Sequence, residues 1–116
     1  MMDKATPYSE LTRRFHEPNR LAIMSATCAA KGGISFTELR DLCALTDGNL
    51  SRHLGKLEAA GAVIVHKRFV NAKPKTTVHV TQEGLAEFTS YLAALENALS
   101  LARDATALPD TGALRV

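Results

Sequence analysis

The chain predicts a mainly α fold with one small β-hairpin, an α+β class, and three observations carry that expectation. Apolar residues recur at helical spacing in four stretches, and Ser35, Thr46 and Thr81 stand where caps would open three of them. Between the third and fourth stretches the period shortens to two, in "AVIVHKRFV" and "TTVHVT", both rich in β-branched residues. The last stretch steps +3, +4, +3, +4 through Leu85, Phe88, Leu92, Leu95 and Leu99, the seam of a helix that packs on another helix. A length of 116 residues with 46% hydrophobic side chains suits one domain with a modest core.

Each element follows from local chemistry. Residues 1–10 read as a flexible arm. Pro18 suits the first turn of a helix, here spanning Asn19 to Ala30, with Leu21, Ile23, Met24 and Cys28 inward and Gly32-Gly33 as its end. "GGIS" leaves room for a very short extended piece. Ser35 and Glu38 form a capping box that opens a second helix, Phe36 to Cys43. "ALT" is a tight turn, and Thr46 caps a third helix that runs to Ala60 and stops at Gly61. The two strands are joined by "NAKPK", whose Asn and Pro suit a hairpin tip. The fourth helix is expected over 82–102. The tail, 103–116, mixes Pro, Gly and Thr and reads as disordered.

Helix, helix, short turn, helix, then a hairpin is the order of a winged helix-turn-helix, expected over 11–81. The third helix carries the functional signal. Leu50, Leu54 and Leu57 make one apolar stripe, while Gly48, Asn49, Ser51, Arg52, His53 and Lys56 are left for the opposite side. A helix that enters the DNA major groove needs that division, because one side must pack and the other must offer donors and acceptors to base edges. Asp47 fits the helix start first and a base edge second, since an acid is repelled by phosphate yet favoured at a helix N-terminus. Charge points the same way. Residues 49–81 hold Arg52, Lys56, Lys67, Arg68, Lys73 and Lys75 against Glu58 alone, while the segment before is balanced and the segment after is acidic. Lys73 and Lys75 at the hairpin, with Lys67 and Arg68, are read as phosphate contacts rather than solubilising charges.

"FTELRDLCALTDGNLSRHLGKLEAAGAV", the hairpin ending "KPKTTVHVT" and the following "TQEG" together resemble compact bacterial and archaeal winged-helix transcriptional regulators related to the MarR and ArsR groups. The resemblance implies a homodimer on double-stranded DNA with an inverted-repeat operator, usually as a repressor, and leaves room for an unidentified small-molecule effector. The dimer would use Leu85, Phe88, Leu92, Leu95 and Leu99, with Leu11 and Phe15 crossing over to complete the seam. Two departures stand out. Such regulators often have Gly between helices two and three, where this chain has Ala44, so the turn is expected to be built differently. The hairpin tip lacks Gly, and Asn71 is the residue best able to replace it.

Other chemistries are weak. Ser51, His53 and Asp47 are the residue types of a hydrolytic triad, but Ser51 and His53 stand two apart on a helix and point in different directions. Cys28, Cys43 and the four histidines do not stand at ligand spacing, so core thiols are favoured over a metal or redox sensor. His66 and His79 are strand residues. No enzyme activity, metal or cofactor is expected. The start of the chain lacks the apolar core of a signal peptide, and a cytoplasmic protein is expected. The competing reading is a winged-helix module that docks another protein, against which the basic third helix and hairpin argue.

Overall fold

The computed structural model describes residues 14–107. Its elements are α1 (Pro18–Ala29), β1 (Ile34–Ser35), α2 (Phe36–Leu42), α3 (Asp47–Ala59), β2 (Val63–Val70), β3 (Lys73–Val80) and α4 (Gln82–Thr106). The expected order is met throughout. The expected arm, Leu11 and the residues from 108 onward lie outside the described residues.

Caps set the helix starts. The Ser35 hydroxyl accepts from the Glu38 amide at 3.1 Å, Thr46 from the Asn49 amide at 3.1 Å, and Thr81 from the Gly84 amide at 2.8 Å. In α1 the cap is Glu17, whose carboxylate accepts from the Arg20 amide at 2.8 Å ahead of Pro18. Helices α2 and α3 end alike. Leu45 N donates to Arg40 O and Ala44 N to Asp41 O, while Ala62 N donates to Leu57 O and Gly61 N to Glu58 O. Both are Schellman motifs, which need a left-handed residue just past the helix. Gly61 supplies it at φ 80°, and Ala44 supplies it at φ 54°. The turn between α2 and α3 is therefore built in the ordinary way, with alanine where glycine would be free of strain. The expectation of a different turn is corrected.

The sheet is antiparallel in the order β1-β3-β2. Ile34 pairs with Val78, and β2 and β3 stay in register from Val63↔Val80 to Val70↔Lys73. The hairpin turn is thus only Asn71-Ala72, both left-handed at φ 53° and 63°, as a type I′ turn requires. Lys73, Pro74 and Lys75 lie in β3 and not in a longer tip. Pro74 is tolerated because the pair next to a two-residue turn, Phe69↔Pro74, points its amides away from the partner strand.

The core gathers Ile23 and Met24 of α1, Leu39 of α2, Leu50, Leu54 and Leu57 of α3, and Val63 and Val78 of the sheet. Phe15 closes it against α4, fully buried, with its ring edge-on to Phe88 at 5.3 Å and near Tyr91 at 5.8 Å. His16 and the Tyr91 hydroxyl are 2.9 Å apart, and burial pushes the Tyr91 phenol pKa up. The expected seam of α4 therefore divides. Phe88 is buried in its own domain with Phe15, and Leu95 packs partly against the same core. Only Leu85, Leu92 and Leu99 remain exposed, at 48%, 39% and 48%. The assignment of Phe15 and Phe88 to an interface between copies is corrected, since both face the core of their own domain. Helix α4 also runs past the expected end, because residues 103–106 contain no helix breaker and Arg103 suits a last turn.

Replacing Ala44 by Gly should stabilise the protein by roughly 0.5–1 kcal/mol, because strain at a left-handed alanine outweighs the extra freedom of glycine in the unfolded chain. Gly61→Ala should cost on the order of 1 kcal/mol by the same reasoning. Urea unfolding of both variants checks the pair, and a destabilised Ala44→Gly would contradict the strain.

Candidate nucleic-acid interface

Helix α3 is placed by contacts at both ends. At its start Asp47 accepts from the Arg40 guanidinium at 2.9 Å, and Arg40 also holds Asp41 at 3.0 Å. The Asp47 bond and then the Asp41 carboxylate raise the Arg40 pKa further, so the guanidinium stays charged. Asp47 acts as a helix-start residue tied to α2. At the other end, Glu58 accepts from the Val65 amide at 3.2 Å and joins α3 to the hairpin.

The buried side of α3 is Leu50, His53, Leu54 and Leu57. His53 is 2% exposed, so its expected place on the outer face is overturned. The physical reason lies in the spacing, since 50, 53, 54 and 57 are the i, i+3, i+4, i+7 positions of one helix face. The Arg20 Nε–H donates to His53 Nδ1 at 3.3 Å, and His53 Nε2 is buried without a partner among the described residues. Burial lowers the His53 pKa, the Glu17 carboxylate pulls it up, and Arg52, Arg20 and Lys56 push it further down. With Nδ1 accepting, the neutral ring carries its proton on Nε2.

Gly48, Asn49, Ser51, Arg52 and Lys56 are all exposed, as expected of an outer face. Arg52 reaches Asn49 Oδ1 at 3.5 Å, so the two side chains already meet on that face. Gly55 lies on it too, and a Cβ there would meet nothing within 4 Å. Nothing in the sequence marks this position, because a missing side chain leaves no chemical signal.

The hairpin divides by face. Cross-strand partners share a face, so Val63, Val65, Lys67 and Phe69 stand with Val78, Thr76 and Pro74 on the core side. Arg68, Lys73 and Lys75 stand on the opposite side. The four expected wing cations are therefore not one patch. Lys67 and Thr76 face α3 across a cleft of about 540 Å³, whose far wall includes Asp47, Ser51 and Gly55. Arg68 lines a second hollow with His66, Thr77 and His79, which Lys67 also borders, and Lys75 lies with Pro74 and Thr76 near Ser35 and Thr37 at the start of α2. The rings of His66 and His79 meet edge-on at 5.2 Å.

The thiols of Cys28 and Cys43 are half-buried and free, and burial raises both pKa values, which disfavours the reactive thiolate. Among the described residues no group of three or more His, Cys, Asp or Glu side chains could hold a metal, and no helix is long and apolar enough to cross a membrane.

A polar helix face beside a cationic hairpin, on a three-helix unit with a three-stranded sheet, defines a winged helix of the DNA-binding type. The family profile for winged helix DNA-binding domains matches residues 19–99, and the chain belongs to that family. Among solved structures it is similar to a transcriptional regulator homologue from Pyrococcus horikoshii, at 28% identity and TM-score 0.72, over 77% of this chain and 87% of that one. It shares the fold of a MarR-family transcriptional regulator from Silicibacter pomeroyi, at 18% identity and TM-score 0.61, over 93% of this chain and 71% of that one. An uncharacterised protein of Methanocaldococcus jannaschii is 39% identical over 57 residues, which are 49% of this chain and 62% of that protein. The chain thus spans less than two thirds of that relative.

The unfolded chain takes up a proton at His53 near pH 6.5, which the folded chain takes up only at lower pH. Its contribution to stability is therefore full above about pH 6.5 and is lost as pH falls toward the folded-state pKa. Urea titrations of the parent and of His53→Leu across this window should show a fall with acid that the variant partly loses. Identical pH profiles would mean that His53 is not held neutral.

Proposed function

We propose that the protein is a homodimeric transcriptional regulator that binds an inverted-repeat operator and represses by occupying it. One observation carries this reading. The exposed face of α3 offers Asn49, Ser51 and Arg52 to base edges, beside a hairpin whose exposed cations suit phosphate. Asparagine can bind adenine and arginine guanine through two bonds each, and serine can serve either a base or a phosphate. Arg52 either reads a base or bridges to the backbone, and its contact with Asn49 suits both. His53 drops out as a reader and becomes a residue that seats α3. Lys67, Arg68, Lys73 and Lys75 neutralise phosphates from two sides of the hairpin, which positions the domain without selecting sequence. Repression needs no more than occupancy of a promoter by such a domain.

Dimerisation is read from α4. Leu85, Leu92 and Leu99 recur every seven residues and stay exposed once the domain is complete, which is the spacing of a helix-helix seam. Two such stripes side by side remove from water what one domain leaves open.

Selection from a random-core duplex library tests the DNA reading. The parent should enrich an inverted repeat, and Asn49→Ala, Ser51→Ala or Arg52→Ala, measured at fixed salt, should each cost about 1–3 kcal/mol where a base contact is lost. Each loss should relax preference at one position per half-site. Failure to enrich any sequence would overturn the regulator reading.

Sedimentation of Leu92→Glu with Leu99→Glu should give folded monomers from a parental dimer. A dimer that survives both changes would place the interface off α4.

A further inference from the structure

We propose that the wing tip is a wedge, in which Phe69, backed by Pro74 across the hairpin, enters the DNA minor groove and partly unstacks one base step. The proposal rests on the DNA-binding reading above and adds a means of selection to it. Among the described residues Phe69 is the most exposed large hydrophobic side chain, at 75%. It pairs directly with Pro74, so two apolar rings face the same way near the end of the hairpin. Along that face Lys67 and Thr76 lead back to the cleft beside Ser51 and Gly55 of α3, which puts Phe69 on the side that α3 presents.

The surroundings say what covers it. Lys67 and Arg68 precede Phe69, and Lys73 and Lys75 flank Pro74 on the facing strand. An apolar pair with Lys67 on its own face and Arg68, Lys73 and Lys75 on the reverse of the same hairpin suits an anionic groove that flanks the hairpin on both sides and has apolar surface within. A second copy of the same tip would bring those cations against one another, which argues against a symmetric contact there. A phenyl ring cannot bond to phosphate, but the stacked faces of bases are apolar, and aromatic or aliphatic wedges open steps from the minor groove. The turn is only two residues long, with Asn71 and Ala72 both left-handed, and a turn this tight loses little freedom when the tip is inserted. Pyrimidine–purine steps unstack most readily, so the wedge would favour DNA carrying such a step at a fixed offset from the bases that α3 reads.

The test uses the sequence enriched from the random-core library, made as duplexes with 2-aminopurine replacing one adenine at a time on each flank. Binding of the parent should brighten the probe at one flanking step per half-site, as unstacking relieves its quenching. Phe69→Ala should abolish that brightening, weaken binding about tenfold and leave the salt dependence unchanged, since no phosphate contact is lost. Phe69→Leu, which keeps an apolar wedge, should retain most of both effects. Equal melting temperatures of the three proteins would show that an exposed residue was changed without harm to the fold. No enrichment from the library would overturn the DNA reading itself. Tight binding without a bright position, or brightening that survives Phe69→Ala, would overturn the wedge alone. A change of oligomeric state in Phe69→Ala would overturn it in favour of a contact between copies.

Discussion

The arrangement of this protein turns on the carbonyl group of Ala62. That oxygen accepts from the Thr81 amide at 3.0 Å and lies within reach of the Thr81 hydroxyl at 3.2 Å. The same hydroxyl lies 2.6 Å from Gly61 O and caps α4 by accepting from the Gly84 amide. The end of α3, the start of β2 and the start of α4 thus meet at one threonine. Gly84 completes the junction, since a Cβ there would run into the Ala62 carbonyl. Backbone cannot step aside as a flexible side chain can, so α4 approaches this closely only without a side chain at that position. The direction in which α4 leaves the domain is set here, at the point where α3 ends.

A second set of ties holds α3 against α2. Arg40 joins Asp47 from the preceding helix, and the Ala44 turn between them is strained but fully hydrogen bonded. Ion pairs as exposed as this one add little stability, so its value is geometric. It draws the acidic side chain of Asp47 toward Arg40 and leaves Asn49, Ser51, Arg52 and Lys56 exposed on the outer face of α3. His53 holds the opposite side against α1 through Arg20.

Much of the fold was legible because its signals are local. Caps at Ser35, Thr46 and Thr81 announce themselves within four residues, and the change of period from 3.6 to 2 marks the hairpin. What was missed depends on choices that single residues do not reveal. His53 was grouped with its polar neighbours by type, although its phase with Leu50 and Leu57 places it inside. Phe88 belongs to a leucine repeat that reads as one seam, but Phe15, distant in sequence, claims it for the core. The wing cations look contiguous in the sequence, and only the register of the hairpin sends Lys67 to one face and Arg68 to the other. Of the candidate site, the exposed polar face of α3 was readable from amphipathic spacing. The exposed Phe69 was not, because a phenylalanine in an alternating strand is ordinarily a core residue.

Gly55 gives the outer face of α3 a further property. A glycine inside a helix forgoes about 0.5–1 kcal/mol relative to alanine, and here there is open space for a side chain. The folded domain on its own therefore gives no reason for the gap. A bare stretch of backbone lets a helix lie closer to whatever it is pressed against, and any residue placed there would meet that surface first. The position is an open place on this face, where a mutation can change what the face meets without having to be accommodated by the core.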